Sequence, residues 1–204
     1  MNTREQPQSV AASPQDNKDM EPETGRLLLR EWKPDDIADL VEGLNDLRVS
    51  RWLAFVPHPY TPQAAEQWIQ HCLFLSQKTG EPSGYEFAIE LKAEQKVIGG
   101  VSLNRINRLH GTAGGGIWLH DHYQGKGYGS EAFGEKIRFA FEDLGLRRLE
   151  NGFFRGNDAS WAMQQRFGYQ REGERRKAYR CMADNELKDE CITGLLKEEW
   201  KRNL

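Results

Sequence analysis

Two spacings of apolar residues divide the chain into predicted strands and helices. Alternating or short apolar stretches predict strands at 25–32, 85–91, 97–103, 113–119, 147–154, 170–180 and 186–197. Apolar positions three and four residues apart predict helices after Pro34, from Thr61 to about Lys78, from Glu131 to Leu144 and from Asn157 to about Arg166. A strand, two helices, a β meander and a β-loop-helix-β-helix-β-β segment follow one another, which predicts one mixed α/β domain.

The N-terminal segment differs in composition from the rest of the chain. Residues 1–24 are mostly Gln, Asn, Ser, Pro, Asp and Glu, with almost nothing to bury. We therefore expect a disordered leader at 1–24 and a single domain at 25–204. No apolar stretch has the length or placement of a membrane span or a secretory signal, so we expect no membrane partner.

Charge and cysteine content narrow the function classes further. The formal net charge is -3, so no overall basic field indicates a nucleic acid partner. The three cysteines have neither zinc-site nor disulfide-framework spacing, which favours a reducing cytoplasm. His120 and His122 have a spacing that could bind metal, but no third ligand follows at a defined distance, so we predict no metal site.

A glycine-rich loop stands between a predicted strand and the longest amphipathic segment of the second half. Gly125, Gly127 and Gly129 alternate in it and leave backbone N–H groups uncovered by side chains. The loop leads into a helix, whose first N–H groups have no partner within the helix and whose dipole is positive at that end. Such a loop suits a phosphate or pyrophosphate.

The known phosphate-binding loops differ in which positions must be glycine. The Walker pattern is absent because Lys126 precedes Gly127 rather than Ser or Thr. The dinucleotide pattern is absent because Ser130 and Glu131 follow the glycines. Gln-x-x-Gly-x-Gly does match at 124–129, and with this loop the chain resembles the GNAT superfamily of acetyl-CoA-dependent N-acetyltransferases.

The resemblance extends over about residues 25–200. Residues 116–119, Gly-Ile-Trp-Leu, are similar to the fourth strand of the family, and 147–150 to the fifth. Asn157-x-x-Ser160 with the following Phe-Gly-Tyr resembles a further family block, closest to the ribosomal-protein N-terminal (Rim-type) subgroup. The implied fold has a mixed, mostly antiparallel sheet of about six to seven strands, helices on both faces, and a splay between strands four and five.

The resemblance also implies where acetyl-CoA binds as the co-substrate. The loop would hold the pyrophosphate, and the open edge of the fourth strand would bind the pantetheine arm. Asn157, at the start of the helix after the fifth strand, would contact the same arm. The implied binding residues are Ile117, Trp118, Leu119, Gln124, Gly125, Lys126, Gly127, Tyr128, Gly129, Ser130 and Asn157.

The catalytic residues are the less defined part of the resemblance. Ser160 matches the general acid proposed for Rim-type relatives, whereas other branches use a Tyr at the position of Gln164. In many members a Glu that acts as the general base stands where this chain has Gly114. In Rim-type relatives a Glu of the sixth-strand region has this role, and Tyr179 stands at the matching position here. The carboxylates that remain as candidate bases are Glu86, Glu90, Glu150 and Glu174.

We therefore expect a cytoplasmic N-acetyltransferase, a monomer or homodimer, that moves an acetyl group to a primary amine by direct attack. The acceptor would be a protein N-terminal α-amine or the amine of a small molecule. Two alternatives stay open on the sequence alone. The absent Glu at Gly114 would suit a non-catalytic acetyl-CoA-binding regulatory module, and the loop by itself would suit an enzyme acting on nucleotide phosphates.

Overall fold

The computed structural model describes residues 21–76 and 82–201. Most of the predicted leader and the end of the predicted second helix lie outside the described residues. The strands are β1 Leu27–Glu31, β2 Tyr85–Leu91, β3 Lys96–Asn107, β4 Thr112–Gly114, β5 Ile117–Leu119, β6 Arg148–Phe154, β7 Gln170–Arg180 and β8 Leu187–Leu196. The α-helices are α1 Ile37–Leu44, α2 Leu47–Ser50, α3 Pro62–Ser76, α4 Tyr128–Arg138 and α5 Asp158–Arg166.

These strands form one sheet in the order β1-β2-β3-β4-β6-β8-β7, with β5 paired to β3 beside β4. Every pairing is antiparallel except that of β4 with β6. The prediction of a mixed, mostly antiparallel sheet is confirmed. The sheet has eight strands in the described residues rather than about six to seven, and the stretch predicted as one strand at 113–119 forms two of them.

The division between β4 and β5 follows from the backbone at Gly115. Its φ is +137°, which side chains disfavour, and a Cβ there would collide with the carbonyl oxygen of Ser102. On one side of this residue β4 pairs with β6, and on the other side β5 pairs with β3 alone. The change of partner separates β5 from β6 and opens the predicted cleft between them.

Apolar residues bury against both faces of the sheet. On one face α4 packs Ala132, Phe133 and Ile137 against strand residues, and on the other face α1 and α3 pack around Trp32 and Ile69. Burial of this kind is the main source of stability for both layers. No helix in the described ranges is long and apolar enough to cross a membrane.

The helix after the glycine loop begins earlier than its apolar pattern indicates. It starts at Tyr128 rather than Glu131, with Gly127 as its N-cap in the left-handed region, at φ +87°. Its last turn, Phe139–Asp143, widens to a π-helical turn, and Gly145 at φ +66° follows the end of the helix. The early start brings the first N–H groups of the helix next to the loop glycines.

Candidate active site

The cleft between β5 and β6 exposes one edge of β5. The N–H of His120 donates to Ile98 (2.9 Å), and the carbonyl of Gly116 accepts from Ser102 (2.9 Å), so alternate residues of this segment bind β3. By the same alternation the peptide groups of Ile117 and Leu119 face the cleft. Trp118 instead directs its side chain over Gly100, on the cavity side of the sheet.

The glycine loop closes one end of the cleft. Gly125 and Gly127 have φ values of +72° and +87°, and the space that a Cβ on Gly125 would occupy is open. The amide nitrogen of Gln124 donates to the carbonyl of Leu119 (3.2 Å), which ties the loop to the end of β5. The loop therefore offers uncovered N–H groups and a helix N-terminus beside an open strand edge, as a phosphate-bearing chain requires.

An arginine that the sequence analysis did not single out supports this loop from outside. Arg26 Nη1 donates to the carbonyl of Lys126 (3.3 Å), and Arg26 Nε donates to Glu131 (2.7 Å). Its guanidinium also lies 4.4 Å from the ring centroid of Tyr128. These contacts join the residue just before β1 to the loop and to the first turn of α4, and they fix the position of the loop. Arg26 and the loop are about 100 residues apart in the sequence, and no local sequence pattern indicates that they are in contact.

The start of α5 holds the two predicted site residues Asn157 and Ser160. Asn157 Oδ1 accepts the backbone N–H of Ser160 (3.2 Å), so the side chain of Asn157 is an N-cap. The Oγ of Ser160 accepts from the amide of Gln164 (3.1 Å), and Gln164 Oε1 accepts from Thr193 (2.6 Å). Gln164 and Thr193 are buried, with exposed fractions of 2% and 0%. These bonds leave the Ser160 hydroxyl hydrogen available for donation.

A cavity of about 790 Å³ adjoins the cleft. Its walls come mainly from the loop between α2 and α3, from α3, and from strands β2, β3, β5, β6, β7 and β8. Ten of the residues that line it are Phe, Trp or Tyr: Trp32, Trp52, Phe55, Tyr60, Trp68, Phe87, Trp118, Phe153, Phe154 and Tyr179. An apolar cavity with a few polar groups is the usual form of a small-ligand site.

One of these polar groups is the carboxyl of Glu86. It lies on β2 opposite Ser102, is half-buried, and has no side-chain hydrogen bond or ion pair among the described residues. Burial raises its pKa to about 7, because the aromatic surroundings disfavour the charged form. A carboxyl group with this pKa can accept a proton at neutral pH.

The other carboxylates considered as bases all have cationic partners. Glu90, Glu150 and Glu174 each form an ion pair with an arginine, namely Arg30, Arg148 and Arg155. Only Glu86 among the four lines the cavity. An ion pair stabilises the ionised form of a carboxylate and makes it a weaker base.

Tyr179 lies on the opposite wall of the cavity. Its ring contacts those of Phe55 and Phe154, with centroids 5.8 and 5.9 Å away. Its hydroxyl accepts from Arg175 (3.0 Å), and Arg175 also pairs with Glu190, another wall residue. The cation beside it and its place among aromatic rings suit Tyr179 to shaping the cavity.

The two histidines near the loop do not converge. His120 is buried against Trp118, with ring centroids 5.8 Å apart and nearly parallel, and burial lowers its pKa. Within the described residues no group of three His, Cys, Asp or Glu side chains could hold a metal ion.

The cleft thus combines an open glycine loop at a helix N-terminus, a strand edge that faces away from β3 and an adjoining aromatic cavity. The chain matches the family described as an acetyltransferase (GNAT) domain over residues 26–170 and belongs to this family. It is 29% identical over 177 residues to the uncharacterized N-acetyltransferase p20 of Bacillus licheniformis, covering 87% of this chain and 96% of that one.

Two solved structures extend the comparison. The ribosomal-protein-S5-alanine acetyltransferase of Vibrio fischeri has a TM-score of 0.71 and 25% identity, over 90% of this chain and 100% of that one. The microcin C7 self-immunity acetyltransferase MccE, solved with acetyl-CoA and AMP, has the same fold, with a TM-score of 0.72 and 22% identity over 85% and 93% of the two chains. The chain is thus an acetyl-CoA-dependent N-acetyltransferase with a Rim-like resemblance, as predicted.

Proposed function

We propose that this enzyme acetylates a peptide α-amine bound in the aromatic cavity, with Glu86 as the general base. The observation that carries the proposal is the unpaired, half-buried carboxyl of Glu86 on the cavity wall, whose pKa is about 7. A base must take a proton from the ammonium before nitrogen can attack. Glu90, Glu150 and Glu174 are less suited to this step, because each forms an ion pair with an arginine.

The pKa of Glu86 favours a weakly basic amine. A peptide α-ammonium has a pKa of about 8, so proton transfer to a carboxylate of pKa about 7 is uphill by only about 1 kcal/mol. An alkylammonium such as that of lysine has a pKa of about 10.4, which makes the same transfer uphill by about 5 kcal/mol. The cavity therefore suits an α-amine better than a polyamine or a lysine side chain. The S5-alanine named for the Vibrio fischeri structure is in line with a polypeptide acceptor.

The remaining steps would use the cleft. Acetyl-CoA would place its pyrophosphate at the loop 124–129 and its pantetheine arm along the edge of β5 at Ile117 and Leu119 that faces away from β3. The neutral amine attacks the thioester carbon, and collapse of the tetrahedral intermediate breaks the carbon–sulfur bond. Ser160 would give its hydroxyl proton to the departing thiolate and regain one from water, with Gln164 holding its oxygen in place. The amide forms as the nitrogen loses its second proton to solvent.

Release of free CoA tests the proposal. A peptide with a free α-amine and no lysine is compared with an N-blocked peptide that carries one lysine. We expect the first to be acetylated and the second to be a poor acceptor. Glu86→Gln should lower kcat/KM for the α-amine by about a hundredfold or more. Glu66→Gln, which alters an exposed α3 carboxylate, should leave it unchanged.

Two results would refute the proposal. Acetylation of lysine or a polyamine with the α-amine ignored would make the acceptor assignment wrong. Full activity of the Glu86→Gln protein would remove Glu86 from the reaction, while leaving acetyl transfer to another amine possible.

A further inference from the structure

A bulge in β3 directs two successive side chains to the cavity. Leu103 is buried in the core, and Ile106 packs against the same core. In a regular strand one residue separates two positions on the core face, whereas here two residues, Asn104 and Arg105, lie between them. The pairing of β3 with β4 shifts register between Asn104 and Asn107, and Arg105 has a φ of +51°. Such a bulge re-aims a side chain at the cost of backbone strain. Asn104 and Arg105 consequently both line the cavity.

The guanidinium of Arg105 lies directly over Gly114. A Cβ at position 114 would collide with it, so Arg105 fills the space in which the resemblance places a glutamate in other members. The side chain of Arg105 is exposed and has neither a hydrogen bond nor an ion pair with the described residues. An arginine held in this position by a strained backbone, without a protein partner, is available to bind an anion.

Arg105 and Glu86 are unpaired groups of opposite charge on the same cavity. Glu86 lies opposite Ser102 of β3, and Arg105 follows three residues later on the same strand. The remaining wall carboxylate, Glu190, pairs with Arg175. Among the described residues that line the cavity, one carboxyl and one guanidinium thus lack a partner, which suits a ligand that carries both an amine and an acidic group.

We propose that Arg105 binds a carboxylate of the acceptor. The preferred substrate then has an acidic second residue, next to the residue that carries the reactive α-amine. The inference rests on the proposed function, since it takes Glu86 as the group beside the amine. Guanidinium and carboxylate form two parallel hydrogen bonds, which gives the contact directional specificity. Arg105 is thereby a specificity-determining residue that acts on substrate binding.

The test compares three peptides that differ only at the second residue, which is Asp, Asn or Lys, each with an amidated C-terminus. We expect kcat/KM to be about tenfold higher for Asp than for Asn, mainly through KM. Arg105→Met should abolish this preference and leave the Asn peptide nearly unaffected. Arg105→Glu should reverse the preference toward Lys. Arg166→Met, an exposed arginine of α5 outside the cavity, is the control and should behave like the unmodified protein.

Three results would overturn the inference. The unmodified enzyme could show no preference for Asp over Asn. Arg105→Met could lower kcat/KM equally for all three peptides, which would place the guanidinium at the thioester or in the fold. Arg105→Glu could fail to favour Lys. The Asn peptide keeps the proposed function separate, because its acetylation needs Glu86 and not Arg105.

Discussion

The half-buried carboxyl of Glu86 should lower the stability of the protein whenever it is ionised. Its pKa rises from 4.5 to about 7 in the folded state, because burial disfavours the charge. Between these two values the folded state binds more protons than the unfolded state, so the free energy of unfolding falls as pH rises. The shift of about 2.5 units corresponds to about 3 kcal/mol, reached in full above pH 7 or so. Glu86→Gln keeps the shape of the side chain and removes this titration.

The prediction is that Glu86→Gln is more stable than the unmodified protein by about 3 kcal/mol at about pH 8 and by little at about pH 5. Urea denaturation across this range measures the difference, with Glu66→Gln as the exposed control. The same variant should lose activity, because a carboxyl group that is unfavourable for stability is retained where catalysis needs it. A difference that stays constant with pH would show that Glu86 titrates like a solvated carboxyl, and the reasoning about the base would fail.

Three further predictions concern the loop, the acid and the core. Gly127→Glu should abolish acetyl-CoA binding in calorimetry because it puts strain and negative charge at the pyrophosphate, whereas Gly145→Glu at a comparable φ should bind normally; normal binding by the first variant would make the loop assignment wrong. Ser160→Ala should lower kcat about tenfold or more with acetyl-CoA affinity unchanged, and adding Gln164→Leu should cost nothing more, whereas additive losses would show that Gln164 does not act through Ser160. The buried amine of Lys136 has no hydrogen bond within the described residues, and burial lowers its pKa to about 7, so Lys136→Met should raise the free energy of unfolding, by about 3 kcal/mol more at pH 6 than at pH 9; an equal effect at both would contradict this.

The layout of the fold followed from the sequence because local patterns agreed with tertiary packing. The strand predicted at 85–91 has those bounds in the structure, and the strand predicted at 170–180 also does. The stretch at 113–119 was predicted as one strand, since alternation continues through its glycines. The stretch divides at Gly115, because β4 before it pairs with β6 and β5 after it does not. The local alternation of apolar residues does not indicate which strands pair.

The site was predictable where it depends on backbone and not where it depends on contacts between distant segments. Gly125 and Gly127 carry a conformational signal that any reader of the sequence can find. The sequence did not separate Glu86 from three other carboxylates, whereas the structure places those three in ion pairs and Glu86 on the cavity wall. The position of Arg105 over Gly114 arises from a bulge, for which the sequence offered no signal.

The most direct test of the account is the dependence of kcat/KM on pH for a peptide with a free α-amine. In the unmodified enzyme kcat/KM should rise with pH as Glu86 ionises near pKa 7, and it should stop rising near about 8, where the α-ammonium from which Glu86 takes the proton is lost. In Glu86→Gln the rise near 7 should disappear, and kcat/KM should instead rise near about 8 with the fraction of neutral amine. Identical profiles for the two proteins would contradict the assignment of Glu86 as the base.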